Sequence, residues 1–165
     1  MFKLAFIQDS PCMNNDQLII LPATLEDRIW AARLLSESEP WITLGVGFEK
    51  TLQSCSDEEL LLYIAHSEET PCGLIIIDPR GVAGSPYIKS IAVAESFRNK
   101  GIGAILIDFA EISFQSTSRY IFLCVSSFNT RARSFYKKLG YTEVGELRDY
   151  IINGASEILM SKRLS

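Results

Sequence analysis

The sharpest chemical pattern in the chain is Arg98-Asn99-Lys100-Gly101-Ile102-Gly103, set between an apolar run ending at Val93 and another beginning at Ile102. A glycine-containing turn that opens a helix presents successive backbone N–H groups at the positive end of the helix dipole. That arrangement holds an anion, phosphate above all. Glycine serves where a Cβ would stand between backbone and phosphate. Arg98 and Lys100 add longer-range attraction for a polyanion. The same pattern, taken alone, also describes an ordinary glycine loop. Two absences narrow the ligand. No Gly-Lys-Ser/Thr follows, which excludes a nucleoside-triphosphate P-loop. The third glycine of a dinucleotide fingerprint would fall at position 106, which is Leu106.

A second pattern, Asn129-Thr130-Arg131-Ala132-Arg133-Ser134-Phe135-Tyr136-Lys137-Lys138-Leu139-Gly140-Tyr141, follows the apolar run Tyr120 to Val125. Asn129 sits where an N-cap belongs. Ala132, Phe135, Tyr136 and Leu139 share one helical face, so Tyr136 also reads as a core tyrosine. Arg-x-x-Gly-x-Gly after one strand, then Asn-x-x-Ala-x-x-Phe-Tyr-x-Lys-x-Gly-Tyr after the next, resembles the GNAT superfamily of N-acetyltransferases. The matching core runs from about Tyr87 to Val144, and the elements from Leu18 to Arg163 follow that family's usual succession.

The resemblance implies a single-domain α/β (α+β) fold, a mixed sheet of about six to seven strands flanked by about four helices. It implies acetyl-CoA as cosubstrate, no metal, and direct transfer of the acetyl group to a primary amine, on a small molecule or a protein. The backbone of Ile91, Ala92 and Val93 is then expected to pair with the pantetheine arm and to aim an N–H at the thioester carbonyl. The amides of Arg98, Asn99, Lys100, Gly101, Ile102 and Gly103 are expected to hold the pyrophosphate. Asn129 is expected to bond to the pantetheine region, and Tyr136 to protonate the departing thiolate.

An amine with a pKa near that of lysine, about 10.4, is almost wholly protonated at neutral pH, so a proton acceptor is needed. Many family members carry a glutamate on the strand before the pyrophosphate turn. Here Tyr87-Ile88-Lys89-Ser90-Ile91-Ala92-Val93 contains no carboxylate. Glu37 and Glu39 are candidates whose commoner role is surface solvation, and the base stays unassigned. That gap leaves a second reading, a catalytically silent acetyl-CoA-binding sensor or interaction module. Ser126 and Ser127 lack a G-x-S-x-G elbow, and His66 has no visible partnership, which argues against a hydrolase. The acceptor is expected between the first helix with its loop and the last two strands, with Trp41, Phe48 and Tyr150 as lining candidates.

These groups must be positioned by the following elements. Residues 1–16 read as an irregular lead-in, and 17–165 as the transferase domain. Leu18 to Leu21 form a strand stopped by Pro22. Thr24-x-x-Asp27 has capping-box spacing, opening a helix whose Trp30, Ala31, Leu34 and Leu35 share a face. Pro40 to Gly47 is a loop. Leu60 to Ala65 and Leu74 to Ile77 are strands, Asp78-Pro79-Arg80-Gly81 is a turn, and Tyr87 to Val93 is the next strand. Ile102, Ile105, Leu106, Phe109 and Ile112 follow helical spacing. Tyr120 to Val125 is a central strand. A helix through Ala132 to Leu139 ends at Gly140. Two strands, near Tyr141–Tyr150 and Glu157–Arg163, close the chain around Asn153-Gly154.

The 165 residues are a one-domain length, with 47% hydrophobic and 22% charged residues as in an ordinary globular chain. A net charge of −4 and a pI near 5.1 argue against nucleic acid as a partner. Cys12, Cys55, Cys72 and Cys124 lack the spacing of a zinc site or a disulfide framework and read as free thiols. The opening Met1 to Ile7 is too short for a signal peptide, and no run has membrane-span length. A cytoplasmic protein, monomeric or homodimeric and off the membrane, is expected.

Overall fold

The computed structural model describes residues 18–165. The sequence reading of residues 1–16, and Cys12 with it, lies outside the described residues. The elements are β1 (Leu18–Pro22), α1 (Leu25–Ser36), α2 (Phe48–Ser56), β2 (Leu61–Ser67), β3 (Thr70–Val82), β4 (Ser85–Val93), α3 (Ile102–Phe114), β5 (Tyr120–Ser126), α4 (Thr130–Lys138), β6 (Thr142–Leu147) and β7 (Glu157–Arg163). A short 3₁₀ turn, Glu95–Phe97, joins β4 to the glycine turn.

The strands form one seven-stranded sheet in the order β1-β2-β3-β4-β5-β7-β6. Every pairing is antiparallel except β4 with β5. This is a mixed sheet with helices on both faces. On one face α3 and α4 bury Ile102, Leu106, Ile107, Ala110 and Tyr136 against Ile75, Ile77, Ile88, Ile121, Leu123 and Val125. On the other, Ala31, Ala32 and Leu35 of α1 and Cys55 of α2 pack on Leu62, Ile64, Leu74, Ile76 and Ala92. Alternate residues of β3 therefore enter opposite cores, which is why it reads as a continuous apolar run rather than an alternating one.

The capping box at Thr24 is present in full. The Asp27 amide donates to Thr24 Oγ1 at 3.2 Å, and the Thr24 amide donates to Asp27 Oδ2 at 2.8 Å. The apolar run at Leu60 is a strand, in register with β3.

The element order read from the sequence lacked α2. Phe48, Leu52 and Cys55 do carry helical spacing, but Thr51, Gln53, Ser54 and Ser56 between them dilute the signal. Thr51 is buried, and its hydroxyl lies within donating distance of the carbonyls of Ala32 and Phe48, at 2.9 and 2.8 Å. The expected turn at Asp78 to Gly81 is instead a shift of register within β3, whose true reversal comes at Ala83-Gly84, both at positive φ. A Cβ on Gly81 would stand 2.7 Å from that of Tyr87, so β4 can lie this close only beside a glycine. The penultimate strand ends at Leu147, leaving Tyr150 in the 148–156 loop.

Candidate active site

β4 and β5 pair only at Tyr87 with Phe122 and Ile88 with Leu123. Beyond those residues β4 stays paired to β3 as far as Val93, and β5 stays paired to β7 as far as Ser126. The two central strands thus diverge into a wedge with a free backbone edge on each side. The register of β3 and β4 skips Lys89, since Ile76 pairs with Ser90 and Ile77 with Ile88. This bulge lets Ile88 before it and Ile91 after it face the same core.

The alternation of strand hydrogen bonds fixes which groups face the wedge. The Ala94 amide donates to Cys72 O on β3 at 2.9 Å. Ala92 therefore also turns its N–H and C=O toward β3, while those of Ile91 and Val93 point into the wedge. Consistent with this, Val93 O accepts from Arg98 Nε at 3.1 Å rather than from a strand. Of the three strand residues expected to meet an extended ligand, Ile91 and Val93 carry the outward backbone groups, and Ala92 is buried in the α1/α2 core.

The glycine turn lies where the wedge opens. Asn99 (φ 63°) and Gly101 (φ 84°) are both left-handed, and Gly101 is the N-cap of α3. Asn99 tolerates that conformation, whereas at the following such position glycine is the natural choice. The amides of Asn99, Lys100, Gly101, Ile102 and Gly103 donate to no backbone or side-chain acceptor among the described residues. Unpaired amides at a helix N-terminus form an anion cradle. Arg98 differs: its amide donates to Glu95 O and its Nε to Val93 O, so it braces the turn. Lys100 Nζ lies 5.0 Å above the Phe97 ring. A Cβ on Gly103 would lie in ordinary contact with Phe135, at 3.4 Å, so this glycine marks where α3 passes α4. Five consecutive free amides beside basic side chains suit a pyrophosphate.

α4 enters at the same mouth. Asn129 caps it, Oδ1 accepting the Ala132 amide at 3.1 Å, which leaves the side-chain NH₂ available. Arg131, absent from the sequence reading of the site, donates from Nη2 to Asn99 Oδ1 at 2.7 Å and ties α4 to the cradle. Tyr136 is buried at 7% exposure, with Phe135 and Tyr141 rings 5.3 and 5.9 Å away, in the core that includes Ile91 and Val93. Burial pushes its hydroxyl pKa well up, so it stays a neutral O–H donor.

On the opposite face of the sheet lies a polar group that the sequence reading missed. Ile121, Leu123 and Val125 enter the α3/α4 core, so Phe122, Cys124 and Ser126 point the other way, as do Glu157 and Leu159 of β7. Ser126 Oγ donates to Glu157 Oε1 at 2.5 Å, and both side chains are buried. Tyr87 and Cys124 adjoin this pair, and burial raises the pKa of each. The signal available in the sequence was a charged residue opening an otherwise apolar strand, Glu157-Ile158-Leu159-Met160.

The other candidates have structural positions. Glu39 Oε2 accepts the Thr43 amide at 3.2 Å, and Glu37 is the C-cap of α1. Trp41 and Phe48 pack on the α1/α2 core, and Tyr150 is 67% exposed. His66 lies 3.8 Å from Asp27, on a strand separated from β5 by β3 and β4, so no Ser–His pair forms. Cys55, Cys72 and Cys124 are free, and no metal-ligand cluster occurs among the described residues. No described helix is long and apolar enough to cross a membrane.

Residues 25–141 match the profile of the Acetyltransferase (GNAT) family. The chain is 35% identical over 80 residues to an N-alpha-acetyltransferase of Sulfurisphaera tokodaii, a stretch covering 47% of this chain and 48% of that protein. It thus spans about half the length of that curated relative. Its fold is similar to the ribosomal-protein-S18-alanine N-acetyltransferase of Escherichia coli (TM-score 0.71, 17% identity, 90% of this chain and 95% of that one). It is also similar to spermidine N-acetyltransferase of Vibrio cholerae, solved with CoA and spermine (TM-score 0.70, 20% identity, 91% and 97%).

Proposed function

The chain belongs to the GNAT family of acetyltransferases, and from that premise we propose that it transfers the acetyl group of acetyl-CoA directly to a primary amine. The observation that carries this reading is the wedge between β4 and β5 with a run of free amides, 99 to 103, at its mouth. A pantetheine arm lying in the wedge pairs with the outward N–H and C=O groups of Ile91 and Val93 as an added strand would. Its pyrophosphate rests on the amides of Asn99 to Gly103, with Arg98, Lys100 and Arg131 supplying positive charge. Asn129 reaches the pantetheine from the start of α4. An outward N–H of β4 meets the thioester oxygen, where negative charge grows during attack. As the amine nitrogen bonds to the carbonyl carbon, the C–S bond breaks and Tyr136 donates its proton to the departing sulfur.

The test of the binding half is a melting curve. Acetyl-CoA should raise the melting temperature in a dose-dependent way, because only the folded chain offers the site. Acetyl-pantetheine, lacking the pyrophosphate, should do so poorly. Gly103→Val should lose most of the acetyl-CoA shift. An equal shift in wild type and variant would remove the turn from the site.

A further inference from the structure

We propose that Glu157 is the proton acceptor for the acceptor amine, receiving it as an ammonium on the face of the sheet opposite Tyr136. The inference rests on the acetyl-transfer reading above. Three observations carry it. First, Glu157 stands at the start of β7, paired with Ser126 at the end of β5, which is the open end of the wedge. Second, the two faces of that opening differ. The α3/α4 side is filled by Tyr136, Ile102 and their neighbours, whereas no residue of β5, β6 or β7 joins the core under α1 and α2. On the Glu157 side, then, no helix packs on β5 or β7 through the α1/α2 core among the described residues, and an amine approaching there displaces none of that packing. Third, Glu157 as a residue is only 6% exposed, yet its carboxylate forms no ion pair with a described cation. Its one hydrogen bond, from Ser126, occupies Oε1, and Oε2 has no partner among the described residues.

A buried carboxylate without a counter-charge is costly to keep. A substrate ammonium supplies the missing charge, which selects cationic primary amines over neutral acceptors. The groups facing Glu157 are Ser126 and Cys124 from β5 and Tyr87 from β4, with Leu147 of β6 paired beside it. None of them is a cation. Burial raises the carboxyl pKa, against a smaller lowering by the Ser126 hydroxyl, and so makes it a better base than a surface glutamate.

The protons balance as follows. The ammonium gives one proton to Glu157, and the freed lone pair forms the C–N bond as the electron pair of C–S leaves with sulfur. The sulfur takes the proton of Tyr136. The nitrogen's second proton restores Tyr136 through solvent, and Glu157 releases its own to solvent.

The experiment begins with a wild-type screen of primary amines for acetylation, followed by Glu157→Gln on an accepted amine. Glutamine keeps an oxygen to accept from Ser126. We expect kcat/KM to fall about 100-fold at neutral pH, the acid limb of the pH profile to disappear, and activity to recover with amines of lower pKa. The acetyl-CoA melting shift should stay as in wild type. A second variant, Ser126→Ala, should move the acid limb to higher pH because it removes the hydroxyl that lowers the carboxyl pKa. A structural glutamate would leave that limb in place. An active wild type with unchanged rate and profile in both variants overturns the role of Glu157 alone. A wild type that binds acetyl-CoA but acetylates no amine overturns the transfer reading itself, and Glu157 as base with it.

Discussion

The guanidinium of Arg131 donates from Nη2 to Asn99 Oδ1 at 2.7 Å, joining the first turn of α4 to the left-handed residue that shapes the amide cradle. Asn99 and Arg131 stand on different elements, and their bond links the glycine turn to the start of α4 beside the Asn129 cap. Both side chains are exposed, so the contribution is an exposed, charge-assisted one of up to about 1 kcal/mol. Arg131→Ala is expected to raise the KM for acetyl-CoA by about two- to fivefold, more at low salt than at high, with kcat and melting temperature near wild type. Steady-state kinetics at two ionic strengths check it.

Tyr136→Phe separates chemistry from packing. The ring between Phe135 and Tyr141 remains, and only the hydroxyl is lost. The hydroxyl has no described hydrogen-bond partner to abandon, so the melting temperature should hold. A thiolate is a tolerable leaving group, so kcat should fall toward the lower end of the usual range for lost general acid catalysis, about 100-fold. Because burial pushes the hydroxyl pKa up from its ordinary value, Tyr136 keeps its proton through the neutral and mildly basic range, and no basic limb from it should appear there.

Much of this arrangement is local, and local features are what a sequence displays. Thr24 and Asp27 stand at capping-box spacing and form the box. Gly101 and Asn129 stand at helix starts and occupy both N-caps. The wedge is not local: nothing in Lys89 to Val93 announces that β5 stops pairing after Leu123, because that depends on the bulge at Lys89 and on β7 drawing β5 away. Glu157 escaped notice for the same reason. Its partner Ser126 is distant in the chain, and a single glutamate opening an apolar strand has no local pattern that marks a site. Helix α2 was hidden by polar residues whose burial, as at Thr51, depends on a carbonyl of α1.

The thiols offer a check on burial. Burial pushes the Cys55 pKa up to about 11, overriding the nearby Arg28 charge. A group with a raised pKa carries little thiolate near neutral pH, so Cys55 should resist disulfide reagents in the native protein. Cys72, buried with Sγ 3.2 Å from Ala65 O, should resist as well. In denaturant without reductant, all the cysteines of the chain, Cys12 included, should titrate as free thiols. Any shortfall would reveal a disulfide.

The central claim is that the wedge joins acetyl-CoA to an amine and that the chain carries the transfer through. The direct measurement mixes purified protein with acetyl-CoA and a panel of primary amines and peptides, following free thiol release and acetylated product together. Thiol release that depends on a particular amine, matched mole for mole by its acetylated form and slowed about 100-fold in Tyr136→Phe, is the predicted result. Saturable binding of acetyl-CoA with no amine-dependent thiol release across the panel would contradict the claim, leaving a protein that holds the cofactor without using it.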